Sequence, residues 1–199
     1  MVLNKIEPIL DKLHGLRSSL NVAFPEQFPR VICVVSTRRG EGTTTVAMGL
    51  AVSLARQKKR VALIDLNFRE QGISALFGAP PRAGISDVLA GNAVWKDVAR
   101  DFAGVQAAPS GTSPVTDPLD LLESQDMRAF LQTLKNDYDA VIIDTPCLSE
   151  YRDSVIISRL SDYVLYVIGS GMAPREKVKE SVRLLGDVRL GIVLNREKD

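Results

Sequence analysis

Five short apolar runs, each closing on a polar or glycine residue, constrain this chain more than any other feature. They are residues 31–35 (VICVV), 61–64 (VALI, then Asp65), 140–143 (AVII, then Asp144), 163–168 (YVLYVI, then Gly169-Ser-Gly171) and 190–194 (LGIVL, then Asn195). Residues 105–108 (VQAA) are a weaker sixth. None alternates apolar with polar, so each is expected to be covered on both faces, as in a parallel sheet. Helical patterns lie between them at 44–57, 86–89, 126–136, 152–160 and 174–185, and another at 3–20 precedes the first run. Strand and helix in turn predict an α/β fold with right-handed crossovers: a three-layer, doubly wound, mostly parallel sheet with helices on both faces. Residues 109–118 (PSGTSPVTDP) read as a loop. The expected organisation is one domain over 1–199, with 1–28 as an N-terminal helical segment.

Charge narrows the function classes. Lys plus Arg number 25 against 24 Asp plus Glu, a net charge of +1. That balance argues against a dedicated nucleic-acid binder and against a polybasic membrane anchor. No apolar run approaches the roughly 18 residues of a membrane span. The first 20 residues carry charges throughout, unlike a signal peptide. Two cysteines and one histidine are poor material for a zinc site or a disulfide framework. The expected compartment is the cytoplasm.

In open α/β sheets, ligands bind beyond the carboxyl ends of the strands. Ser36, Asp65, Asp144, Ser170 and Asn195 would gather there, although strands also end at polar residues for purely local reasons. The segment after the first strand is the sharpest signal: Ser36-Thr-Arg38-Arg39-Gly40-Glu41-Gly42-Thr43-Thr44-Thr45 leads into a helix. Glycine-bearing loops at such a junction cradle phosphates with backbone N–H groups and the helix dipole. The usual phosphate loop ends Gly-Lys-Ser/Thr; here Thr43 stands at the lysine position, while Gly42 and the magnesium-ligand position, Thr44, fit.

With the other strand ends added, the chain resembles the deviant P-loop ATPases of the MinD and ParA class. Within that class it looks most like the bacterial tyrosine kinases of capsule and exopolysaccharide assembly, over nearly its whole length. Residues 36–44 follow a family loop similar to Ser-x-x-Pro-Gly-Glu-Gly-Lys-Ser, except at Arg39 and Thr43. Asp65-Leu-Asn67-Phe-Arg69 is similar to the family's Asp-x-Asp-x-Arg. Residues 141–146 (VIIDTP), followed by Asp153, resemble its third motif, and residues 84–91 (GISDVLAG) and 193–196 (VLNR) are also similar. The resemblance implies ATP or ADP bound by residues 38–45, with Asn195 facing the adenine. It implies Mg²⁺ held by Thr44, Asp65 and Asp144, directly or through water, and Asp65 and Asp144 as catalytic carboxylates. A structural alternative, carboxylates that cap loops after their strands, stays open.

Three departures from that pattern matter chemically. The lysine that neutralises the β- and γ-phosphates is absent, which implies roughly tenfold to hundredfold weaker nucleotide affinity. Arg38, where MinD-type proteins place their extra lysine, or Arg39 would have to supply charge. Asn67 replaces the second acidic residue, a degenerate position. No tyrosine-rich tail follows Tyr166. The family's N-terminal Glu-x-x-Arg-x-x-Arg helix, which packs subunits into a ring, is matched by Asp11, His14 and Arg17, three residues apart on one helical face. That match implies a weakened homo-oligomer interface, or simply a solvated helix face. Cys33 and Cys147 read as buried structural thiols, Trp95 and Tyr138 as packing residues, and Tyr151 as an odd phosphoacceptor.

The expectation is therefore a cytoplasmic, kinase-like regulator of polysaccharide assembly. It would be recruited to the inner membrane by a polysaccharide co-polymerase, with weak or absent autokinase activity and reduced affinity for ATP/ADP and Mg²⁺. The alternatives are an active kinase or ATPase in which an arginine replaces the lysine, and a MinD/ParA-type positioning ATPase.

Overall fold

The computed structural model describes residues 7, 10–69, 72–73 and 83–196. In chain order the elements are α1 (Leu10–Ala23), β1 (Val31–Ser36), α2 (Thr43–Ala55), β2 (Val61–Asp65), α3 (Ile85–Leu89), α4 (Trp95–Val98), β3 (Arg100–Phe102), β4 (Val105–Ala108), α5 (Pro118–Glu123), α6 (Gln125–Asp137), β5 (Ala140–Asp144), α7 (Asp153–Leu160), β6 (Tyr163–Gly169), α8 (Arg175–Leu185) and β7 (Leu190–Asn195). Among the described residues seven strands form one sheet in the order β3-β4-β2-β5-β1-β6-β7. All neighbours are parallel except β3 with β4.

The central strands are apolar throughout because both faces are covered. Ile32 and Val34 of β1 join Leu63, Ile142, Leu165 and Val167 in a core beneath α1 and α2. Val31, Cys33 and Val35 point the other way, into a core with Ile64, Ile143, Tyr166 and residues of α6 and α7. Two cores either side of one sheet make the three layers expected from the sequence. Helix α2 is buried from Val46 to Leu54 because it is sandwiched between the sheet and α1. The α1–α2 approach needs a missing side chain: a Cβ on Gly49 would lie 1.9 Å from Leu13 Cδ1.

Several boundaries differ from the sequence reading. The N-terminal helix is described from Leu10 to Ala23, three residues past the expected end, and residues 1–6, 8 and 9 lie outside the described residues. The loop at 109–118 runs straight into α5, which periodicity did not reveal. Its start is a local device: Asp117 accepts a hydrogen bond from the Leu119 amide at 2.9 Å, and Pro118 occupies the first turn. Strand β3 also escaped, since Arg-Asp-Phe has no apolar signature; it is held by antiparallel pairing to β4.

Candidate nucleotide site

The sheet register brings the strand ends together. Asp65 of β2 lies beside Asp144 of β5, and Gly169 of β6 beside Asn195 of β7. The loop from β1 to α2 rises from the middle of this row. Gly40 and Gly42 take φ of +81° and +103°, which turns the chain into the helix. Gly42 must also lack a side chain because a Cβ would meet Asn195 Nδ2 at 2.2 Å. The N–H groups of the first turn of α2, from Thr43 to Thr45, have no carbonyl partners within the helix. They face a hollow of about 300 Å³ at the strand ends, lined by Ser36, Arg39, Thr43, Thr44, Asn67 and Thr145 among others.

A hydroxyl–carboxylate pair lies at this end of the sheet. Thr44 Oγ1 donates to Asp144 Oδ2 at 2.6 Å. Asp144 is fully buried, and its Oδ1 has no hydrogen-bond partner. Burial, and next the charge of Asp65, push Asp144 well above the usual carboxylate range. Such a buried, unpartnered oxygen beside a threonine hydroxyl is the arrangement a hard divalent cation fits. Asp65 is built differently. Its Oδ1 accepts the Asn67 amide at 2.9 Å and its Oδ2 the Ile73 amide at 2.8 Å. Both oxygens thus anchor the segment after β2, so the geometry of Asp65 is that of the loop-capping alternative. Among the described residues no group of three or more His, Cys, Asp or Glu side chains is placed to hold a metal. Any cation here rests on few protein ligands.

The loop is clasped from the β6 and β7 side. Buried Glu41 accepts the amides of Arg38 at 2.7 Å and Gly169 at 3.1 Å. Asn195 Nδ2 donates to the Glu41 carbonyl at 2.8 Å, so Asn195 sits against the loop. Arg38 Nη1 donates to the Met172 carbonyl at 3.2 Å, which draws its guanidinium toward the turn after β6. Arg39 is exposed at the rim. On the other side, Asn67 is nearly buried and accepts the Arg69 amide at 3.3 Å. Arg69 forms a two-pronged pair with fully buried Asp153 at 3.0 and 3.3 Å and covers the Tyr151 ring at 4.4 Å.

The N-terminal trio is not part of the hollow; it lies on α1, which packs against α2. Asp11 is solvent-exposed and 4.0 Å from His14 Nδ1. Arg17 turns inward, and its Nη1 donates to the Ser53 carbonyl and hydroxyl at 3.1 and 3.2 Å. Cys33 is a core thiol that burial pushes up to about 12, and Cys147 is buried at the hollow's wall. Trp95 donates to the Tyr138 hydroxyl at 2.9 Å and the rings meet edge to face. Thr145 and Arg196 also line the hollow; the sequence placed both in family-like motifs without giving either a site role. Thr145 donates to the Val34 carbonyl at 2.8 Å and sets the turn after β5. Arg196 reaches the hollow from the end of β7; its sequence signal was the family-like run at 193–196 (VLNR).

A parallel sheet with a glycine loop, a helix start and a hydroxyl–carboxylate pair at its carboxyl edge defines a P-loop nucleotide-binding architecture. The comparisons agree. A family model described as an AAA domain matches residues 29–183. Tyrosine-protein kinase CpsD of Streptococcus agalactiae is 32% identical over 182 residues, covering 88% of this chain and 78% of the relative. Succinoglycan biosynthesis transport protein ExoP of Rhizobium meliloti is 29% identical, covering 84% of this chain but only 22% of its own length. The kinase domain of the Escherichia coli tyrosine kinase ETK superposes with a TM-score of 0.88 at 28% identity, covering 96% of this chain and 76% of that one. The septum site-determining protein MinD of Pyrococcus horikoshii, complexed with Mg-ADP, matches at the level of fold: TM-score 0.67, 21% identity, 85% and 72% covered. The chain belongs to the AAA-domain family of bacterial tyrosine-protein kinases.

Proposed function

We propose that this chain is a kinase-like regulator of capsule or exopolysaccharide assembly that binds ATP or ADP with Mg²⁺ at the strand-end hollow and has weak or absent tyrosine autokinase activity. It would act in the cytoplasm with an inner-membrane polysaccharide co-polymerase. The pathway comes from the relatives, among them tyrosine-protein kinase CpsD and a succinoglycan biosynthesis transport protein. Among the described residues no helix is long and apolar enough to cross a membrane.

One observation carries the reading of reduced activity. The phosphate cradle is intact in backbone, yet Thr43 stands where the loop's lysine belongs. The free amides at the start of α2 would hold a phosphate tail by direction and by the helix dipole. Thr44 Oγ1 and Asp144 Oδ1 would hold Mg²⁺, which when bound neutralises charge on the phosphate oxygens. Asp144 must be ionised to do so, and the cation's charge favours that form. Without the lysine, the developing charge of phosphoryl transfer loses a fixed cation, so transfer suffers more than binding. Arg17, bonded to Ser53, is not presented as a free cation for a neighbouring subunit, in keeping with a weakened homo-oligomer.

The test is phosphotyrosine detection on the protein purified after expression and incubated with ATP and Mg²⁺, beside a thermal-shift titration with ADP. Little phosphotyrosine with a clear ADP shift is expected. A strong phosphotyrosine signal abolished by Asp144→Ala would instead establish an active kinase, the reading favoured by the arginines that line the hollow.

A further inference from the structure

We propose that Arg196 supplies, from the end of β7, the phosphate-facing cation that the loop lacks at Thr43. The proposal rests on the nucleotide reading above and names a residue for it. Three arginines line the hollow: Arg38, Arg39 and Arg196. Arg38 is drawn to the Met172 carbonyl. Arg39 belongs to the loop itself and is engaged in a contact of its own. Arg196 makes no hydrogen bond or ion pair with its side chain among the described residues, and it is exposed at the hollow's rim.

Its backbone supports the assignment. Arg196 has φ of +57°, a left-handed conformation that a non-glycine residue adopts only at a cost in strain. The turn is held from both sides. The Asn195 carbonyl accepts the Ser170 amide at 2.9 Å, and Asn195 Nδ2 is fixed on the Glu41 carbonyl. The turn follows directly on Asn195, and Arg196 lines the same hollow as Gly42, Thr43 and Thr44. The carboxylates at this end of the sheet, Asp65 and Asp144, are fully buried below. A cation left at the rim without a protein partner matches an anionic tail, and a planar guanidinium suits phosphate oxygens.

The experiment uses the full chain and three probes, adenosine, ADP and ATP with Mg²⁺, titrated against wild type, Arg196→Gln, Arg196→Lys and Thr43→Lys. Because Arg196 is exposed, Arg196→Gln should keep the melting temperature of the unliganded protein. We expect it to weaken ADP and ATP binding about fivefold to tenfold, a charge-assisted contact discounted for solvent exposure, with adenosine unaffected. Arg196→Lys should recover part of the loss. In a Thr43→Lys background the Arg196→Gln loss should shrink, since the restored lysine serves the same oxygens. If wild type binds ADP and Arg196→Gln binds it equally well, the assignment to Arg196 is overturned while the nucleotide site stands. Equal losses for adenosine and ADP would also overturn it, since the residue would then support the fold or the base. If wild type binds none of the three, the nucleotide reading itself fails, and this proposal with it.

Discussion

Replacing Asp144 by asparagine should make the unliganded protein more stable while abolishing its response to magnesium. Asp144 is fully buried, one of its oxygens lacks a partner, and Asp65 lies beside it on the neighbouring strand. Burial and then the Asp65 charge raise its pKa in the folded state, against about 3.9 in an unfolded chain. Between those two values the native state keeps a proton that the unfolded chain has released, so stability falls as pH rises through the window. Above the folded pKa the penalty is complete, and below about pH 3.9 it vanishes because both states are protonated. Asparagine still offers Thr44 an acceptor and removes the ionisation. Keeping an ionised carboxylate in this buried place costs more than keeping a neutral amide there, so Asp144→Asn should gain about 1–2 kcal/mol at pH 8. For a chain of this size that is about 2–8 °C in melting temperature. The assay is thermal denaturation of both proteins without nucleotide, in EDTA, at pH 8, 6 and 4.5; the gain should shrink towards acid. A second series with ADP, with and without Mg²⁺, should show a magnesium increment in wild type alone. The reasoning is refuted if the variant melts at or below wild type at pH 8 with an unchanged pH slope.

Other substitutions test the neighbouring parts. Thr43→Lys should tighten ADP binding by calorimetry, about tenfold to hundredfold in an Arg196→Gln background and less in wild type, where Arg196 already serves the same oxygens; equal gains in the two backgrounds would mean that the two cations do not share them. Gly42→Ala combines φ of +103° with a Cβ placed 2.2 Å from Asn195 Nδ2. It should cost about 1–2 kcal/mol in urea unfolding and reduce the ADP-induced shift. Arg69→Ala strips fully buried Asp153 of its guanidinium. Allowing for the one-third exposure of Arg69, the loss should be about 2–3 kcal/mol in denaturant titration, with Arg69→Lys recovering only part.

Much of the fold was legible because its signals are local. A strand covered on both faces is apolar along its length, so β1, β2, β5, β6 and β7 announced themselves within a few residues of their observed bounds. The loop between β1 and α2 was legible for a related reason: a backbone cradle needs glycines at fixed places, and Gly40 and Gly42 do take positive φ. Strand β3 and helix α5 were not legible. Arg100–Phe102 is a strand because of its partner across the sheet, and Pro118–Glu123 starts on one capping aspartate inside a proline-rich stretch.

Residue type and order alone determined that this chain builds a layered parallel sheet with a phosphate-type loop lacking its lysine. They could not determine what each polar side chain does, because that depends on neighbours far away in the chain. Asp65 and Asp144 end two similar strands, yet one has both oxygens on backbone amides and the other keeps a bare oxygen. Arg17 turns to Ser53, 36 residues on, and Glu41 grips the end of a strand 128 residues away. Only the packing of the strands into one edge brought these groups within bonding distance, and since both carboxylates are fully buried, the hydrogen-bond partners that the fold supplies there, rather than chemical identity or burial, set them apart.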